Sequence, residues 1–169
     1  MLLTVAVVIL SVVADQITKL IAVKLLAPDK DITVINNVLN FTYTENKGAA
    51  FGMLDNQRWI FIVATVVFIA FLVFALIKGM IKGKFGTICV ALIIGGGIGN
   101  LIDRVLLGYV VDFINFKLIY FICPAIFNVA DMCVVIGAIL GVIWLLFLDG
   151  DFGNGKSENK GDEQPESKA

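Results

Sequence analysis

WIFIVATVVFIAFLVFALI, residues 59–77, carries no charged side chain. A helix rises about 1.5 Å per residue, so about 20 such residues cross a hydrocarbon core of about 30 Å. This stretch is read as a membrane span, and the rest of the chain is read outward from it. Upstream, Leu2–Ala27 is apolar but holds Asp15, Lys19 and Lys24. Downstream, Phe85–Ile102 is charge-free, and Phe121–Leu148 has Asp131 as its one charge. Four spanning helices are predicted. Pro124 falls at or before the start of the last, where its missing N–H does little harm.

Composition points the same way. Of 169 residues, 59% are hydrophobic and 16% charged, with a mean hydropathy of +0.95. Soluble domains average about 45–50% apolar and about 25% charged. A water-soluble globule of this length could not hide so much apolar surface. The absence of histidine removes Ser-His and Cys-His dyads and His-ligated metal sites. Cys89, Cys123 and Cys133 form no CxxC pair and are read as apolar packing, not a disulfide framework. No cofactor or metal is expected. A net charge of −1 argues against a nucleic-acid partner.

Leu2–Ala27 lacks a basic n-region and a following A-x-A site, so it is read as a retained span. Lys78, Lys82 and Lys84 crowd the short connection between spans two and three. Dense lysine in a short loop places that loop in the cytoplasm. Both termini are then cytoplasmic, and the loop over residues 28–58 and the segment around 105–122 face outside. Asp31–Thr44 interleaves β-branched and aromatic residues with polar ones and is read as short strands on the membrane surface. Residues 1–148 form the membrane domain. Residues 149–169, rich in Gly, Asn, Glu and Lys, are read as a disordered cytoplasmic tail.

Charges inside or beside spans are costly and are kept for partners or cavities. Asp15 and Lys19 stand four residues apart on one helix face, the acid first, which is the favourable order. They fit a structural ion pair or a contact to substrate. Gly95–Arg104 reads GGGIGNLIDR. Its glycines allow a close helix or ligand approach. Asn100, Asp103 and Arg104 recur at i, i+3 and i+4 as a polar face. Asp112 in VVDFI and Asp131 in FNVAD are lone acids in apolar settings, and Asn128 shares a helix face with Asp131. The two acids meet if two helix ends pack together. Two neighbouring buried carboxylates disfavour double ionisation and share a proton. One then serves as general base for water and the other as general acid. A proton or cation relay and a structural pairing remain open as alternatives, as do a transporter and a structural membrane subunit.

Five motifs in order carry a resemblance: DQITK (Asp15–Lys19), NKGAAFG (Asn46–Gly52), GGGIGNLIDR, VVDFI (Val110–Ile114) and FNVAD (Phe127–Asp131). With the four spans, the sequence resembles lipoprotein signal peptidase, the bacterial signal peptidase II family of intramembrane aspartic peptidases. The resemblance implies four transmembrane helices with a small extracytoplasmic β-cradle and a short outer helix. It implies a monomer in the bacterial cytoplasmic membrane with its active site near the extracytoplasmic face. The implied substrate is a diacylglyceryl-modified prolipoprotein, cut just before its lipidated cysteine. The implied catalytic residues are Asp112 and Asp131. Asn46, Gly48, Asn100, Arg104, Asn128 and Ala130 would form the surrounding site, with Asp15 and Lys19 supporting the outer loop region. Membrane lipid and globomycin-type inhibitors are the other implied contacts. The loop Asn46–Gly52 is expected to move as a gate. A small hydroxyl residue commonly follows the second acid in that family; here it is Met132.

Overall fold

The computed structural model describes residues 2–26, 30–48, 57–120 and 125–148. The elements are α1 (Leu2–Leu26), β1 (Ile32–Ile35), β2 (Leu39–Asn46), α2 (Arg58–Ile77), α3 (Gly83–Leu106), β3 (Val110–Phe116), α4 (Lys117–Tyr120), β4 (Ile126–Phe127) and α5 (Val129–Ile143). A π-helical turn, Trp144–Leu148, continues α5. Four helices (α1, α2, α3, and α5 with its continuation) are long and apolar enough to cross a membrane. Large apolar side chains such as Leu10, Val67, Phe71 and Ile139 are more than half exposed, as befits helices solvated by lipid.

α3 is the central helix, with α1 and α5 packed against it. α2 lies at the edge against α3, and only 6% of its most apolar stretch is buried, compared with 39% for α3. Lipid tails are as apolar as leucine, so such helices associate by close packing rather than by escape from water. Glycine provides the closeness. A Cβ on Gly96 would run into the Ala130 carbonyl of α5, and one on Gly99 would lie 2.6 Å from Asp15 Oδ2 of α1.

The sheet is fully antiparallel, in the order β1-β2-β3-β4. Its first hairpin turns at Asn37, whose φ of +61° is one that asparagine tolerates better than most residues. Asp31–Thr44 thus supplies β1 and most of β2. Phe113 of β3 meets Phe41 of β2 edge to face at 6.1 Å. Beneath them Ala22 and Leu26 of α1 complete a small apolar core.

Three sequence expectations need correction. The third span is longer than Phe85–Ile102, so Asp103 and Arg104 lie within α3. The fourth begins at Val129, not Phe121. Ile126 and Phe127 pair with β3, and Asn128 caps the helix by accepting from Asp131 N at 2.9 Å. Such a cap contributes about 1 kcal/mol. VVDFI is a strand, not a helix end. Gly108, at φ +88°, turns the chain out of α3, and the β-branched and aromatic residues that follow add to the sheet beside β2. The short helix expected before the fourth span is α4. Cys123, Pro124, residues 49–52 of the expected gate and the tail 149–169 lie outside the described residues.

Gly99→Ala is expected to lower the melting temperature in detergent, since overpacking costs about 1–3 kcal/mol. Gly141→Ala should leave it near the parent value, because its Cβ would meet Cys89 Cβ at an ordinary 3.7 Å. Equal melting of the two variants would contradict this account of the packing.

Candidate active site

The site forms where β3, the start of α5 and the sheet end of α3 converge. Register places Asp112 opposite Thr44 of β2, and Asp112 is 2% exposed. Asp131 occupies the third position of α5, where the cap is reciprocal. Asn128 Oδ1 accepts from Asp131 N, and Asn128 N donates to Asp131 Oδ2 at 3.1 Å. Asn128, fully buried, also donates through Nδ2 to Asp112 Oδ1 at 2.6 Å. One asparagine therefore ties both acids together.

The remaining carboxylate oxygens are also satisfied. Asn46 Nδ2 donates to Asp112 Oδ2 at 2.9 Å, and Asn100 Nδ2 donates to Asp131 Oδ1 at 2.7 Å. Gly48 N in turn donates to Asn46 Oδ1 at 3.1 Å. Burial, and next the charge of Asp131, push the Asp112 carboxyl from 3.8 up to about 7. The bonds from Asn46 and Asn128 and the charge of Lys19 oppose that rise without cancelling it.

The glycines of GGGIGNLIDR pack helices, while its polar residues split between two tasks. Asn100 reaches Asp131. Asp103 turns the other way, accepting from Val111 N at 3.1 Å and pairing with Lys19 at 3.0 Å. Arg104 stands over the Phe61 ring at 5.2 Å and donates to the Asn100 carbonyl at 3.3 Å. Asp15 and Lys19 form the predicted pair at 2.8 Å, and Asp15 also accepts from Ala130 N at 2.8 Å. They thus join α1 to α3 and α5, and reach β3 through Asp103.

Gln16 is the residue that sequence reasoning missed. Its Nε2 lies within reach of Asp15 Oδ2, the Gly99 carbonyl and Asp103 Oδ1, at 3.1–3.2 Å. The available signal was a polar residue beside Asp15 in an otherwise apolar span. The apolar lining of the cleft was likewise not singled out. A cleft of about 420 Å³ opens beside Asp131, lined by Asn46, Asn100 and Arg104 and by the apolar Phe68, Phe127 and Val134. Asn46, Asn100, Arg104 and Asp131 thus bring polar groups to an otherwise mostly apolar opening. Asp131 lines the cleft and shares Asn128 with the buried Asp112, and two carboxylates so linked can activate water and protonate a leaving group.

Comparison with known proteins identifies the family. The family model described as signal peptidase (SPase) II matches residues 7–147. A lipoprotein signal peptidase of Caldanaerobacter subterraneus subsp. tengcongensis is 48% identical over 136 residues, covering 80% of this chain and 90% of that one. One from Clostridioides difficile is 40% identical over 148 residues, covering 88% and 97%. A solved bacterial membrane enzyme structure superposes with a TM-score of 0.80 at 34% identity, covering 94% of each chain. With four spans, a capping sheet and these relatives, the chain belongs to the signal peptidase II family, multi-pass membrane peptidases that remove signal peptides from prolipoproteins.

Proposed function

We propose that the peptidase is of the aspartic type, with Asp112 and Asp131 as its catalytic residues. It cleaves diacylglyceryl-modified prolipoproteins just before the lipidated cysteine. The observation that carries the reading is Asn128, which hydrogen-bonds the buried Asp112 and the half-buried Asp131 at once beside a cleft of mixed character. The pair shares one proton. The ionised member takes a proton from water, and the resulting hydroxide adds to the scissile carbonyl. The protonated member polarises that carbonyl oxygen. The tetrahedral diol collapses as the C–N bond breaks and the leaving amine takes a proton from the pair. Arg104 and the asparagines orient the substrate backbone, an entropic contribution. The signal-peptide helix and the acyl chains enter from lipid beside α2, where Thr65 and Phe68 border the cleft.

The proposed setting is the bacterial cytoplasmic membrane, with both termini in the cytoplasm and the sheet end outside. Lys78, Lys82 and Lys84, around the α2–α3 turn at the other end, support that orientation. The working unit is taken to be a monomer of residues 1–148 with a cytoplasmic tail over 149–169. A globomycin-type cyclic peptide is expected to occupy the same cleft.

Asp112→Asn and Asp131→Asn should each lower turnover of a diacylglyceryl prolipoprotein by at least about 10³-fold, with melting preserved. Gel-shift cleavage checks this, alongside an unlipidated precursor and a globomycin-type inhibitor of the wild type. Retained cleavage in both variants would overturn the dyad. The rate of the wild type should fall as pH rises through about 7, because Asp112 then loses the proton the reaction needs. A rate still climbing from pH 7 to 9 would contradict it. A thiol reagent that cannot cross membranes should label Asn37→Cys in intact cells, and should reach Met80→Cys only after lysis.

A further inference from the structure

Three asparagine amides aim their NH2 groups at the two carboxylates, and each is held by whatever donates to its oxygen. Asn46 Oδ1 accepts from Gly48 N, and Asn128 Oδ1 accepts from Asp131 N. Asn100 Oδ1 accepts from Lys19 Nζ at 2.9 Å. An amide has one accepting end and one donating end, so a donor on the oxygen decides where the NH2 points. The first two clamps are backbone N–H groups. The third is a buried ammonium, a group that can only donate.

The surroundings of Lys19 suit that task. Its side chain is 4% exposed, and its three donors meet Asp15 Oδ2, Asp103 Oδ2 and Asn100 Oδ1 at 2.8, 3.0 and 2.9 Å. Asp15 has its own anchor in Ala130 N, and Asp103 has one in Val111 N. Gln16 serves both. Asn100 is less well held without Lys19. Its other oxygen contact comes from Asn128 Nδ2 at 3.0 Å, which also serves Asp112.

We infer that Lys19 is a positioning residue for the hydrolysis. Through the Asn100 amide it fixes a donor on Asp131 Oδ1 and keeps the pair's single negative charge on that carboxylate, leaving the shared proton on Asp112. This inference rests on the dyad reading above. Both acids accept N–H bonds at both oxygens, so bond number does not separate them. The charge of Lys19 acts on Asp112 as well; what separates the two acids is the relay, with Lys19 one hydrogen bond behind the Asn100 amide that donates to Asp131. Among the described residues, the charged groups that act on Asp131 are Asp15 and Lys19 from α1, Arg104 from α3 and Asp112 from β3. Of the two cations, Arg104 borders the cleft, where substrate binds, whereas Lys19 is sealed in the bundle. Without the ammonium, the Asn100 oxygen keeps only the Asn128 donor that it shares with Asp112, and the hold of its NH2 on Asp131 Oδ1 loosens. The charged form of Asp131 loses twice, in hydrogen bonding and in Coulomb attraction.

The test is the pH–rate profile of full-length enzyme in bilayers, with a diacylglyceryl prolipoprotein as substrate. Wild type is compared with Lys19→Met, with Lys19→Met combined with Asp103→Asn, which restores the net charge of the Asp15–Lys19–Asp103 cluster, and with Asn100→Asp, which keeps an acceptor for Lys19 but removes the donor to Asp131. Rates are normalised to folded protein. The expected result is a kcat about tenfold lower, with KM within about twofold, and an acid limb displaced to higher pH by about one unit. An acid limb and a kcat per folded molecule equal to wild type, with only the melting temperature lowered, would make Lys19 purely structural. If neither Lys19 variant folds, Asn100→Asp decides alone, and an unmoved acid limb overturns the inference. Active Asp112→Asn and Asp131→Asn enzymes would instead overturn the dyad itself. Inactive dyad variants beside unchanged Lys19 profiles would remove only this inference.

Discussion

The ammonium of Lys19, held between Asp15 and Asp103 inside the helix bundle, is the contact through which the rest of the site is connected. Taking charges out of water costs several kcal/mol each, and the cost is offset only when attraction and hydrogen bonds are complete. Here they are: each carboxylate also accepts from a backbone N–H, and Gln16 bridges the two. Those backbone groups belong to Ala130 at the start of α5 and Val111 in β3. The cluster therefore holds α1, α3, α5 and the sheet at one end. Asp112 lies next to Val111, and Asp131 lies next to Ala130. The same contacts that neutralise the buried charges hold the two segments from which both acids reach Asn128.

The bilayer explains why such a small polar cluster can govern a whole fold. Along the helix shafts the surface is leucine, valine, isoleucine and phenylalanine facing lipid, and burial of apolar area discriminates little between arrangements. Shape and polar satisfaction discriminate strongly. The Gly96 approach to Ala130 allows α5 to sit against α3 closely enough for Asn100 to reach Asp131. The Gly99 approach brings Asp15 in from the other side. Helix packing and site assembly are thus one event, not a scaffold with a site added afterwards.

The sheet contributes rigidity where helices alone would leave an end open. β3 delivers Asp112 from a strand paired on both sides, and β2 ends at Asn46, whose amide reaches that acid. The reciprocal cap at Asn128 and Asp131 fixes the first turn of α5 while presenting the second acid. A carboxylate that is also a capping partner has little rotamer freedom, which suits the role proposed for Asp131.

Much of the architecture is legible in the residues alone. Four apolar runs separated by polar segments imply four spans, because the membrane thickness sets a length and excludes charge. The interleaved residues of Asp31–Thr44 read correctly as strands, because alternation has a physical period. The motifs that hold Asp112 and Asp131 stand out because lone acids among apolar residues are costly. What the sequence could not decide was the partner of each polar side chain. Asn100, Asp103 and Arg104 share a helix face, yet one reaches Asp131, one joins Lys19 and β3, and one faces the cleft. VVDFI resembles the end of a helix until β2 lies beside it, since strand pairing depends on a neighbour far away in the chain. Gln16 stands out only as a polar residue in an apolar span, because its partners Gly99 and Asp103 lie far away in the chain. Composition and spacing determined the membrane architecture and the inventory of polar groups. Only tertiary packing, which brings polar groups of α1, α3, α5 and its cap, and β3 within 3 Å of one another, decided which of them act together.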